Sequence, residues 1–355
     1  MYHRPQTLSS SPYHGERSPT PAIQARRPIR QGEHLEIEDP ADIPYEHIEV
    51  LGHGGTAVVE KVRDIHSGLV YARKSLKINT GNLSKVREIY QHEVNVIKRL
   101  ESHHHIVRVF ATYRTGITFV IILDPVASEG DLGGFLARYR DLERGQERTA
   151  MFSTLKRAFG CLSNGLAFMH ENNIRHKDIK PQNILIHHGS FLFTDFGIAR
   201  DYHNDRSTTE GRPGSHTRRY CAPEVADWGQ RNSKSDVFSL GCVFLEILAS
   251  RFRGFFLPQF VNEHFNLHLD YVTSKLRLIE KFLDTRPEYS LLVAITNDML
   301  TPKPAARNSA ARVRERVLRC GVNYHCRTCS IPSLKLCEYS TVCFRESLLS
   351  LVSMY

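Results

Sequence analysis

The sequence predicts an α+β chain in two unequal parts, a small antiparallel β-sheet followed by a larger, mainly helical region. Three observations carry that expectation. Short alternating runs broken by glycine turns fill much of the stretch from Tyr45 to Leu123, with one helical pattern between them. Beyond residue 127 the apolar residues recur at helical spacing, over runs too long for strands. At 355 residues and 41% hydrophobic, the chain has material for one large domain or two smaller lobes.

Composition excludes several classes. No apolar run reaches the roughly 18 residues that a membrane span requires. The opening Met-Tyr-His-Arg-Pro lacks the apolar core of a secretory signal. A soluble intracellular protein, cytoplasmic or nuclear and without a membrane partner, is therefore expected. The net charge of +9 is spread along the chain, with short clusters at Arg26-Arg27 and Arg218-Arg219. No recognition motif accompanies it, so it reads as solvated surface and no nucleic-acid partner is expected.

Residues 1–44 hold Pro5, Pro12, Pro19, Pro21, Pro28, Pro40 and Pro44 among Ser, Thr, Gln and Arg. Their periodic apolar content is too small to offset ordering, and a disordered arm is expected. Ser18-Pro19 and Thr20-Pro21 fit proline-directed phosphorylation, a pairing common in loose tails.

From Ile48 to Val62 the pattern is strand, tight glycine turn, strand, with Gly52-His53-Gly54-Gly55 at the turn. Glycine lets backbone N–H groups come close to phosphates. No Gly-Lys-Ser/Thr follows, which argues against a P-loop NTPase. Gly68 to Leu76 is a turn leading into an alternating strand that carries Lys74. Ile89, Val94, Ile97 and Leu100 mark a helix over 84–100 that carries Glu93. Three adjacent histidines, His103-His104-His105, point in different directions and cannot close a tetrahedral metal site without outside ligands; a structural turn is expected. Thr118 to Leu123 is a buried strand. Two helices follow, over 131–140 and 149–171, the second with Phe152, Leu155, Phe159, Leu162, Leu166 and Met169 on its apolar side.

The chain is organised around Ile174-Arg-His-Lys-Asp-Ile-Lys-Pro-Gln-Asn-Ile-Leu-Ile186, with Asp195-Phe196-Gly197 shortly after it. Phosphoryl transfer needs a carboxylate to orient a hydroxyl, an ammonium near the moving group, and oxygen ligands for magnesium. Asp178 is the candidate base, Lys180 the charge, and Asn183 with Asp195 the metal ligands.

His-x-Asp-x-Lys-x-x-Asn followed by Asp-Phe-Gly resembles the eukaryotic protein kinase family. The resemblance implies a two-lobed protein-kinase-like fold: a small antiparallel β-sheet lobe with the family's helix αC, and a larger, mainly helical lobe. It implies ATP and Mg2+ as cofactors and proteins carrying Ser or Thr as substrates. Lys180, two residues beyond the base, matches the serine/threonine type. On this resemblance Leu51, Gly52, Gly54 and Val59 belong to the glycine-rich loop, with Ala57 where a third glycine is usual. Ala72 and Leu185 flank the adenine, Lys74 faces the α and β phosphates, and Glu93 pairs with Lys74. Leu123 is the gatekeeper, Asp124 and Val126 offer a carbonyl and an N–H to the adenine edge, and Asp131 reaches the ribose. The three-His turn matches a similar His-x-x-Ile-Val turn of the family.

Ile198 to Ser215 corresponds to the activation segment, with Thr208 and Thr209 better placed than Ser215 for phosphorylation; an upstream kinase is thus a candidate partner. Thr217-Arg218-Arg219-Tyr220-Cys221-Ala222-Pro223-Glu224 resembles the element that closes it, with Thr217 bonding Asp178 and Lys180. Asp236 is expected to hold the catalytic-loop backbone, and Arg307 to pair with Glu224. One departure is Lys177 where the family carries arginine. Lysine keeps the charge but loses the guanidinium fork, so control by one activation-segment phosphate is expected to weaken. The alternative, a pseudokinase or kinase-like scaffold with weak or no catalysis, keeps this fold while losing Lys74, Asp178 or Asp195, and none is lost. Tyr220 to Glu224 and Arg307 also argue against a small-molecule kinase.

The resemblance divides the chain into a kinase domain over 45–318 and a tail over 319–355. The domain comprises an N-lobe to 123, a hinge over 124–126 and a C-lobe over 127–318. Five of the eight cysteines lie in the tail. Cys326-x-x-Cys329 is knuckle-like, and Cys337 with Cys343 can complete a zinc set, with Cys320 or His325 as substitutes. The second pair is spaced too widely and the segment lacks a core. A loose cysteine-containing tail without metal is expected.

Overall fold

The computed structural model describes residues 26–54, 57–76, 83–202, 218–227, 232–251, 264–282 and 287–330. In the N-terminal lobe the elements are β1 (His34–Glu36), β2 (Tyr45–His53), β3 (Ala57–Asp64), β4 (Val70–Leu76), α1 (Leu83–Leu100), β5 (Arg108–Thr115) and β6 (Thr118–Asp124). The C-terminal lobe adds β7 (Gly130–Asp131), α2 (Leu132–Asp141), α3 (Gln146–Glu171), β8 (Ile174–Arg175), β9 (Ile184–His187), β10 (Ser190–Phe193) and β11 (Arg200–Asp201). It ends with α4 (Pro223–Ala226), α5 (Ser233–Ser250), α6 (Leu269–Phe282), α7 (Pro287–Met299) and α8 (Ala310–Leu318). Among the described residues no helix is long and apolar enough to cross a membrane.

The expected two-lobed α+β architecture is present, with one correction to its sheet. Six strands lie in the order β1-β5-β6-β4-β3-β2, and β1 runs parallel to β5, so the sheet is mixed and not purely antiparallel. Alternation along β6 explains why the extra strand is there. Phe119, Ile121 and Leu123 face the main core beneath α1, while Val120 and Ile122 face a second cluster with Tyr45, Val62, Tyr71 and Tyr113. That second apolar face needs a cover, and Ile29 lies buried in it with Leu35, Ile37 and Ile43 packed alongside. Residues 26–44, expected within a disordered arm, therefore pack on the sheet. Burial of these side chains and the β1–β5 ladder together offset the cost of ordering the segment.

α1 presents Tyr90, Val94, Ile97 and Leu100 to the sheet. α2 is capped by Asp131, whose side chain accepts the Gly134 N–H at 2.9 Å and satisfies one orphan donor. α3 and α5 are the buried helices of the larger lobe, and Phe159 of one meets Phe244 of the other edge to face at 4.8 Å.

The beginning of the tail also departs from expectation. Cys320, Tyr324 and Cys329 are buried and belong to the main core. Tyr324 packs edge-on against Phe159 and Tyr289. Gly160 on α3 permits the approach: a Cβ there would meet the Tyr324 carbonyl oxygen at 2.4 Å and His325 at 2.1 Å. Residues 319–330 are thus docked on α3.

Candidate functional site

A cleft of about 660 Å3 runs between the lobes, from His53 and Gly54 at the glycine turn to Lys180, Asn183 and Asp195 below. The hairpin of β2 and β3 sets Gly52 opposite Val59, and β3 with β4 sets Val59 opposite Lys74. Ala72 on β4 stands opposite Leu123 on β6, and Leu185 on β9 stands opposite Asp131 on β7. Leu123 and Ala72 are buried; Val59, Asp124, Val126, Asp131 and Leu185 are half-buried, and Leu51 is exposed.

Lys74 and Glu93 come together as the sequence suggested. The Lys74 ammonium donates to Glu93 Oε1 at 2.6 Å and Oε2 at 2.9 Å, and to Asp195 Oδ1 at 2.8 Å. Glu93 is buried, while the Asp195 side chain keeps 47% of its surface open to the cleft. Burial lowers the Lys74 pKa, but the charges of Glu93 and Asp195 outweigh it and hold the lysine above its ordinary range. For Asp195 burial pushes up, and Lys74, with His176 and Lys180 beyond it, holds the carboxyl below the usual carboxylate range. Both groups are therefore charged at neutral pH.

The second cluster sits on the loop after β8. Lys180 donates to Asp178 Oδ2 at 2.7 Å, and the Asn183 amide donates to the same oxygen at 3.0 Å and to the Asp178 carbonyl at 2.9 Å. With its nitrogen engaged there, Asn183 has its side-chain oxygen left for a cation. Asp195 takes up a positive φ of 63°, a conformation Asp tolerates better than most residues. Its neighbours fix it: Thr194 N–H donates to the Asn183 carbonyl at 3.1 Å, and Phe196 is buried against the His176 ring at 4.9 Å.

Asp236 at the start of α5 holds this loop from behind. Its two oxygens accept the His176 and Lys177 N–H groups, each at 2.9 Å, and the His170 ring nitrogen at 3.0 Å. The Lys177 backbone is left-handed, φ 69°, and these bonds keep it so. His170 was not anticipated from sequence. It is the penultimate residue of α3, where a histidine carries no distinguishing pattern.

Thr217, Thr208, Thr209 and Ser215 lie outside the described residues, as do Cys337 and Cys343. The residues leading into that segment are tied to α1, because Arg99 pairs with Asp201 and the His92 ring bonds the Ala199 carbonyl at 2.6 Å. On the far side of the cleft Arg219 pairs with Glu246 at 3.1 Å, a contact unforeseen from sequence.

Protein kinase domain is the family that matches the sequence, over residues 45–317. The chain belongs to the eukaryotic protein kinase family. Cyclin-dependent kinase 4 of Mus musculus is 33% identical over 216 residues, covering 57% of this kinase and 67% of the relative. Death-associated protein kinase 2 of Homo sapiens is 29% identical over 228 residues, 61% of this kinase and 57% of the relative. Cyclin-dependent kinase 20 of Danio rerio is 28% identical over 203 residues, 56% of this kinase and 55% of the relative.

Proposed function

We propose that this kinase transfers the γ-phosphoryl group of ATP to Ser and Thr hydroxyls of protein substrates. The observation that carries the reading is the joint arrangement of two neighbouring clusters, Lys74 with Glu93 and Asp195, and Asp178 with Lys180 and Asn183. Asp178 accepts the proton as the substrate hydroxyl attacks, and its carboxylate is aimed by the Lys180 and Asn183 donors. Lys180 supplies positive charge beside the group in transfer. Lys74, held by Glu93, orients the α and β phosphates.

The oxygens of Asn183 and Asp195 are hard donors suited to Mg2+, and they are the residues that hold it in this reading. Bound Mg2+ neutralises phosphate charge. Val59, Ala72 and Leu185 are the apolar surfaces for adenine, with Leu123 behind them, Leu51, Gly52 and Gly54 closing over the nucleotide, and Asp124 and Val126 at its edge. Asp131 already caps α2 with one carboxylate oxygen, so its proposed contact to ribose uses the other. The assignment of Thr217 to the Asp178 and Lys180 pair rests on the sequence resemblance alone. Lys180 is also the observation that favours Ser/Thr over Tyr.

Purified protein, supplied with ATP, Mg2+ and a library of Ser, Thr and Tyr peptides, tests the proposal. Transfer to Ser or Thr is expected. Asp178→Asn should lower kcat by about 100-fold or more while ATP affinity stays nearly unchanged, since the carboxylate acts on the attacking hydroxyl. Equal activity of the two proteins refutes the role of Asp178, and no transfer by either refutes the reading and favours a kinase-like scaffold.

A further inference from the structure

Two segments more than 220 residues apart in sequence meet behind the cleft. His104 and His105, in the turn between α1 and β5, face Cys326 and Cys329 of the docked tail, and their four ligand atoms all lie within 4.8 Å of one another. We infer that these four residues bind one structural zinc ion, which clamps the C-terminal segment to the turn after α1. Cys337 and Cys343, the pair that spacing offered, lie outside the described residues, and Cys320 and His325 are not members of the quartet.

Geometry supports the assignment. Zinc at ~2.3 Å from sulfur and ~2.0–2.1 Å from imidazole nitrogen, with tetrahedral angles, sets each S···N edge at about 3.5 Å. The distances from His105 Nε2 are 3.2 Å to Cys329 Sγ and 3.6 Å to Cys326 Sγ. From His104 Nε2 they are 3.4 Å to Cys329 Sγ and 3.5 Å to Cys326 Sγ. All four mixed edges therefore have the length that a common central ion requires.

The surroundings are those of a metal site as well. His105 Nδ1 donates to the Phe191 carbonyl at 2.6 Å, which turns the lone pair of Nε2 toward the sulfurs. Asn164 Nδ2 donates to Cys329 Sγ at 3.0 Å, as outer partners of zinc thiolates do. Cys161 on α3 accepts the Cys326 N–H at 3.3 Å. Two S–H groups can fill only two of the four S···N contacts, whereas a cation at the centre engages all four atoms at once. Two thiolates and two imidazoles in a closed tetrahedron select zinc, with no position left for substrate.

The site's location gives the ion its structural role. Phe193 N–H donates to the His105 carbonyl at 2.8 Å, and Val107 N–H donates to the Phe193 carbonyl at 3.1 Å, so the histidine turn is stitched to β10 just before Asp195. Gly165 on α3 leaves room for this contact, since a Cβ there would meet the Phe193 ring at 2.9 Å. Zinc would join α3, β10, the end of α1 and the tail at one point.

Elemental analysis of the full-length protein, purified without chelators and desalted, is expected to find one zinc per chain. X-ray absorption at the zinc edge is expected to give two sulfur and two nitrogen neighbours. The double variant Cys326→Ser/Cys329→Ser should lose the ion and melt at a lower temperature, whereas Cys337→Ser/Cys343→Ser should retain it. If the first variant does not fold, the absorption spectrum of the wild-type protein still decides the ligand set. Absence of zinc above background, four sulfur neighbours, a Cys326–Cys329 disulfide in freshly purified protein, or zinc that follows Cys337 and Cys343 overturns the assignment.

Discussion

Arg307 and Glu224 meet through two parallel bonds, Nη1 to Oε1 at 2.9 Å and Nη2 to Oε2 at 3.2 Å. The guanidinium is fully enclosed, and its other donors reach the carbonyls of Lys234, Thr301 and Pro302 at 2.8, 3.0 and 3.1 Å. Ser235 completes the set by donating to Glu224 at 2.9 Å. α4 is thereby tied to the turn between α7 and α8. Removing one member of a buried ion pair leaves the other charge uncompensated, at a cost of about 3–5 kcal/mol. Arg307→Ala is expected to lower stability by that amount in urea denaturation, and Arg307→Lys to recover only part of it, because one ammonium cannot reproduce the fork. A change in Arg307→Ala below about 0.5 kcal/mol, the scale of an ordinary surface substitution, would contradict this.

Lys74 has two carboxylate partners, and they are not equivalent. Glu93 is buried and gives both oxygens, while Asp195 opens to the cleft and gives one. Glu93→Gln removes a charge-assisted contact worth about 1.5–3 kcal/mol, so kcat/KM is expected to fall by roughly ten- to a hundredfold with the fold intact. Asp195→Ala is expected to abolish Mg2+-dependent turnover altogether. The comparison of the two by steady-state kinetics and circular dichroism is the check, and full activity in Glu93→Gln would remove the pair from the mechanism.

The contacts legible in the sequence are those whose motifs fix local geometry. Asp178, Lys180 and Asn183 lie on one loop, so their spacing alone brings them together. Lys74 and Glu93 were legible through the family resemblance, and so was the long-range Arg307 to Glu224 tie. His104, His105, Cys326 and Cys329 were not, because more than 200 residues separate the halves and neither half is a metal site by itself. Spacing within the tail offered Cys337 and Cys343, which lie outside the described residues. β1 was hidden for a different reason: three residues between prolines carry no period, and they are ordered only by the apolar sheet face they help to cover.

Acid should weaken the catalytic loop's support. Burial pushes the Asp236 carboxyl up, but the His170 hydrogen bond and charge, with His176 and the Lys177 N–H, outweigh it and hold the pKa below the ordinary 3.8. A depressed folded-state pKa contributes stability that is complete above the unfolded value and drains away as pH falls below it. Asp195 has the same sign. Melting temperature is therefore expected to drop as the pH is lowered below about 4. Asp236→Asn should cost about 1–3 kcal/mol near neutrality and show a shallower acid limb. Parallel acid limbs for the two proteins would rule Asp236 out as a source of the loss.

Lys177 sets the last expectation, which concerns activation. Its backbone is fixed by Asp236, but its side chain brings one compact ammonium where an arginine would bring a planar fork. Toward a phosphate on Thr208 or Thr209 it can make one or two charge-assisted contacts, not a parallel pair. Arg200, Arg206 and Arg87 are the further basic residues proposed to assist; Arg206 and both threonines lie outside the described residues, and Arg200 is held in β11 opposite Arg175. Phosphorylation is accordingly expected to raise kcat/KM by less than roughly 100-fold, equivalent to about 2.7 kcal/mol of transition-state stabilisation. Lys177→Arg should respond more strongly than the wild type. The measurement compares phosphatase-treated protein with protein phosphorylated at Thr208 and Thr209, in both backgrounds. A wild-type response of that size, unchanged in Lys177→Arg, means that the fork is not what limits activation.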